Sequence, residues 1–84
     1  MTQCPVLGER VRYVGSRTVG PCTGVVIRRY PTYRHDDETQ HETHEILPES
    51  QWYIAMQPDH LPTRWPYKDC TIFAPSVSRL RRAT

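Results

Sequence analysis

The sequence predicts an all-β domain: a small, strongly bent antiparallel sheet of four to five short strands closed into a barrel, with a short helical turn before the last strand. Three observations carry this expectation. Eight prolines in 84 residues exceed the usual frequency of about 5 per cent, and they interrupt the chain too often for long helices. Apolar and polar residues alternate over short runs, the period of a strand with one buried face. Glycines and prolines separate those runs, as strand ends and turns require.

The elements follow in order. In GERVRYVG, Val11 and Tyr13 alternate with Arg10 and Arg12, and Gly8 and Gly15 bracket the strand. SRTVGPCTG is a turn-rich connection. VVIRRY is the second strand, with Val25 and Ile27 expected inward and Arg28 and Tyr30 on the opposite side. Pro31 should end it, because proline has no N–H to give to a ladder. QWYIAM is the third strand, with Trp52, Ile54 and Met56 on one face and Tyr53 and Ala55 on the other; its β-branched and aromatic content supports this. PDHLPTRWPYK forms a proline-rich loop, and DCTIFA supplies a fourth strand around Thr71 to Phe73. Ser76 is placed to cap one helical or 3₁₀ turn. Leu80 then closes the core, in a short fifth strand before the tail. Closure into a barrel answers the edge problem of so short a sheet.

A chain of this length forms one domain, residues 1–84, and buries only about 60 to 65 per cent of its unfolded surface. At 37% apolar and 24% charged residues it is polar, yet outside the composition of disordered chains. No apolar run approaches the ~18 residues of a membrane span, and MTQCPVLGERVRY lacks the pattern of a signal peptide. The expected setting is therefore cytoplasmic, and compactness suits a bacterial or phage-like source. Cys4, Cys22 and Cys70 are odd in number and lack C-x-x-C spacing, so they are expected to be buried or semi-buried free thiols.

The net charge of +2 hides a lopsided distribution. The chain to Arg34 is basic; an acidic loop at 35–49 has no lysine or arginine; a basic tail at 79–84 ends the sequence.

The stretch GERVRYVGSRTVGPCTGVVI resembles the opening of SH3-like barrels of the KOW type, through Gly8, Glu9, Val11, Tyr13, Gly20, Gly24 and Val26. That likeness implies an SH3-like barrel and binding to RNA or to ribosome- and polymerase-associated partners. A weaker likeness is to plasmid-borne type II dihydrofolate reductase subunits. Gly8, Glu9, Arg10, Val11 and Arg12 match their opening, and Ile72, Phe73, Pro75 and Leu80 loosely match their close. It implies shared architecture and, remotely, a reductase-like oligomer. The Val-Gln-Ile-Tyr run of those enzymes is Cys-Thr-Ile-Phe here, without the glutamine.

The leading functional candidate is RRYPTYR, which interleaves Arg28, Arg29 and Arg34 with Tyr30 and Tyr33. Guanidinium groups contact phosphates and tyrosine rings stack on bases. Arg81 and Arg82, with Arg79 before them, are expected to extend this surface from the C-terminus. The directly following HDDETQHETHE offers His35, His41 and His44 as nitrogen ligands for zinc, nickel or copper. Helical or extended, it brings histidines and acids to one face. Its His-Glu-x-His spacing is one residue short of the catalytic zinc motif, so a metal is the remote reading and an exposed polar loop the simpler one. The acidic insert is also suited to folding back on the basic face and loosening as its histidines gain protons. Trp65 and Tyr67, in the 58–68 proline loop, suit a protein-binding groove. Asp59, His60 and Cys70 show no third orienting group for nucleophilic catalysis.

Together these readings describe a noncatalytic binding module without cofactor. Its first partner is RNA, DNA or a nucleoprotein. The alternative is a protein partner engaged by Trp65 and Tyr67, including a homo-oligomer.

Overall fold

The computed structural model describes residues 3–36 and 41–83; at 36 and 41–43 only the backbone is described. Within these residues the chain is all-β, with strands β1 (Arg10–Tyr13), β2 (Cys22–Tyr30), β3 (Tyr33–Asp36), β4 (His41–Ile46), β5 (Tyr53–Pro58) and β6 (Leu80–Arg82). Two 3₁₀ turns, Glu49–Gln51 and Val77–Arg79, complete it. A four-stranded antiparallel sheet has the order β5-β2-β1-β6, and β3 and β4 pair as a separate two-stranded ribbon.

β1 shows the alternation its sequence predicts: Val11 and Tyr13 are buried and Arg10 and Arg12 exposed. It ends at Tyr13, and two residues on Gly15 takes a φ of +99°, which is open to glycine at no steric expense. β2 begins in the opposite phase from expectation. Its pairing sets Val11 against Gly24 and Val26 against Met56, so Val26 faces the core and is 1% exposed while Ile27 is 44% exposed. The register then slips between Val26 and Arg28. One extra residue at Ile27 forms a β-bulge, which resets the alternation so that Arg29 falls opposite Ile54, and Tyr30 opposite Tyr53. Pro31 follows, and β2 stops at Tyr30 as proline chemistry requires.

Around Thr71 to Phe73 the expected strand is reduced to a single bridge, Phe73 to Met56, followed by a second, Ser76 to Tyr53. Pro75, two residues on from Phe73, has no N–H to extend the pairing. This stretch still lies along β5: the amides of Ile54 and Met56 donate to the carbonyls of Pro75 and Phe73. Ser76 caps the following 3₁₀ turn, its hydroxyl accepting from the Ser78 amide. The turn delivers Leu80 to β6 against β1. One continuous segment thus runs from the free edge of β5 to the strand on the far side of β1. The tail expected at 79–84 is accordingly ordered strand through Arg82.

The expected acidic loop at 35–49 is also largely paired backbone, since it takes in the end of β3 and all of β4. The core is small. Val11, Val26, Ile54, Met56, Val77 and Leu80 are all but fully buried, with Trp52, Trp65 and Phe73 packed around them. Cys4 is buried and Cys22 half-buried, but Cys70 is exposed, against expectation.

Candidate nucleic-acid interface

Strand pairing decides which arginines can act together. Residues directly opposite in an antiparallel pair share a face, with Cβ atoms about 5 Å apart. Arg12 lies opposite Thr23 on one side and Arg81 on the other. Arg10 lies opposite Val25, and beyond the bulge Arg28 and Tyr30 follow on the same outward side of β2. This surface carries Arg81, Arg12, Arg10 and Arg28, then Tyr30 and Tyr53 as an opposed pair, 42% and 48% exposed. From Thr23 to Tyr30 it extends about 20 Å along β2.

The cations are not equivalent. Arg10 holds Asp59 in a two-pronged ion pair, which keeps that carboxyl below its ordinary pKa and raises the guanidinium. Arg81 donates from Nη1 to the carbonyls of Leu80 at 2.8 Å and Ser78 at 3.2 Å. Arg12 and Arg28 are exposed and have no hydrogen-bond or ion-pair partner among the described residues. Like charges directly across a sheet repel, and no acid of the described residues stands between Arg12 and Arg81.

Of the residues singled out in the sequence, Arg28, Tyr30 and Arg81 come together here. Arg29 does not. It faces the other side, where Nε meets the Cys4 sulfur at 3.4 Å, Nη2 pairs with Glu49 at 3.2 Å, and the guanidinium lies 5.3 Å over the Trp52 ring. The Cys4 contact and Glu49 raise its pKa against a smaller desolvation effect. Arg34 pairs with Glu45 at 3.3 Å across the ribbon, where Tyr33 sits opposite Ile46. Arg82, opposite Val11, reaches Glu9 at 3.9 Å. Arg79 donates to the Gly15 carbonyl. The acidic segment therefore does engage the basic one, through Glu45 and Glu49.

Arg10, Arg12 and Tyr53 join this candidate surface without standing out in the sequence. Their outward phase was legible in each strand, but which strands lie side by side was not.

The other candidates are dispersed. Trp65 is half-buried, edge-on to Phe73 at 5.3 Å and to Tyr67 at 5.1 Å, and its indole N–H donates to the Cys70 carbonyl at 2.9 Å. It pins its loop to the core, leaving Tyr67 exposed. The Cys70 thiol donates to the Ile72 carbonyl, and Asp59 is held by Arg10. His35 and His44 are exposed on the ribbon; the side chain of His41 lies outside the described residues. Among those described, no three His, Cys, Asp or Glu side chains converge as a metal requires, and no helix is long and apolar enough to cross a membrane.

No protein-family model, curated protein or solved structure matches this chain.

Proposed function

We propose that this protein is a noncatalytic module that binds the phosphate backbone of nucleic acid, alone or within a nucleoprotein, across the outward surface of β6, β1 and β2. One observation carries the reading: Arg12 and Arg81 stand side by side with no acid between them, an arrangement that an anionic ligand would relieve. Arg28 adds a third cation on this side, and Tyr30 with Tyr53 offers rings on which bases stack. The same reading takes the sheet as an SH3-like barrel in a cytoplasmic, bacterial or phage-like setting, supported by the segment that links the β5 edge to β6. The adaptor alternative rests on Tyr67 alone once Trp65 is committed to packing.

The test is fluorescence anisotropy with short labelled RNA and DNA at low salt. Changing Arg12→Glu together with Arg81→Glu should lower affinity at least tenfold. Arg34→Glu, on a residue that pairs with Glu45, should change it less than twofold. Equal losses from both would defeat the assignment, as would failure of the unaltered protein to bind either nucleic acid.

A further inference from the structure

A cleft of about 330 Å³ opens at the end of the outward surface, between the start of β2 and the loop after β5. The stretch 21–23 forms one wall, with Cys22 at its middle, and Asp59, His60, Leu61 and Pro62 form the other. Thr23 belongs to both features, since it lines the cleft and stands directly across β1 from Arg12. The cleft therefore begins one strand spacing from Arg12 and two from Arg81, about 5 and 10 Å away.

Its walls are fixed in advance. The Asp59 amide donates to the Thr23 carbonyl at 2.9 Å, and the Gly20 amide to the Arg64 carbonyl at 2.9 Å. Two prolines stiffen the rims, and Pro62 packs so close to Gly20 that a Cβ there would lie 3.1 Å from it. The lining suits a flat, largely apolar group. Leu61 is 48% exposed, and the His60 ring has no hydrogen-bond partner among the described residues. Nor is the lining repulsive to a nearby phosphate. Asp59 is matched by Arg10, and burial favours the neutral thiol of Cys22.

We infer that this cleft receives one unstacked base of a single-stranded nucleic acid, its phosphate resting on Arg12 and Arg81. The inference rests on the proposed function and makes it narrower, because a base within a duplex is stacked and paired and does not enter a side cleft. The base lies between the imidazole of His60 and the apolar side of Leu61. Selection among bases is weak, as for stacking in general.

The experiment compares a short oligothymidylate, a duplex of equal length, and an abasic strand that retains phosphates but lacks bases. Binding is read by anisotropy and by amide shifts in ¹⁵N spectra. Oligothymidylate should bind about tenfold more tightly than the duplex, and its shifts should include Thr23, His60 and Leu61. The abasic strand should shift β1 and β6 but not the cleft. His60→Ala should weaken single-strand binding about fivefold and leave duplex binding unchanged, while His60→Phe, which keeps a ring, should preserve it. Equal affinity for the abasic strand, or shifts confined to β1 and β6, would overturn the cleft and leave the phosphate surface standing. Insensitivity to Arg12→Glu with Arg81→Glu would overturn both.

Discussion

Asp59 illustrates how one residue's surroundings decide its role. Its side chain keeps 38% of its surface exposed, and the Arg10 guanidinium lowers its pKa from an ordinary value of about 3.9. A group whose folded pKa is depressed contributes stability that is complete above the unfolded value and is lost as pH falls through the folded one. NMR titration should therefore find the Asp59 midpoint below that of an unpaired aspartate, and Arg10→Ala should raise it. An unchanged midpoint in the variant would show the pair to be ineffective in solution. Residue type alone makes every arginine of RRYPTYR an equal candidate for phosphate contact, but partners sort them. Arg28 remains available, whereas Arg29 is engaged by Glu49 and Arg34 by Glu45. That division depends on contacts across 11 and 20 residues of chain, which composition does not encode.

At the level of elements, β1, the end of β2 and the capped turn before β6 were legible because each rests on local rules: alternation, proline and a serine hydroxyl. The first half of β2 was not, because its phase is dictated by pairing with β1 and β5. The fourth strand is overestimated for the reverse reason; DCTIFA has strand composition, but Pro75 directly after it has no N–H to extend the ladder and only a bridge forms. Gly24 carries the sharpest demand at this level. A Cβ there would lie 2.2 Å from the Gln57 carbonyl oxygen, so β2 and β5 can approach as they do only with glycine at that point. Gly24→Ala should destabilise the domain by about 2 kcal/mol or more, as overpacking does, measured by urea unfolding. Gly8→Ala meets no atom within 4 Å and strains only a φ of +84°, so its effect should be smaller.

For the molecule as a whole, charge is distributed by pairing rather than by sequence block. The apparent basic segments shrink once Glu9, Glu45, Glu49 and Asp59 have taken Arg82, Arg34, Arg29 and Arg10. On the outward surface the arginines without an acid partner among the described residues are Arg12, Arg28 and Arg81. With a slope of about −0.7 per neutralised phosphate for single strands, log affinity against log salt should fall with a slope of about −2. A slope near −3.5 would mean that paired arginines abandon their acids on binding. The radius of gyration of 13.9 Å exceeds the ~12 Å of a compact domain of this size. Among the described residues the ribbon shares no strand pairing with the main sheet.

The bulge at Ile27 sets a rule of parity for the surface. Odd and even positions exchange sides there, so Val26 can enter the core while Arg28 and Tyr30 meet solvent, although all three carry even numbers and Ile27 sits outside with the latter two. Straightening β2 into a regular ladder would invert that count. Arg28 and Tyr30 would turn toward the core, Arg29 would leave Glu49 for solvent, and solvent-facing and core-facing positions would trade places without any side chain being changed.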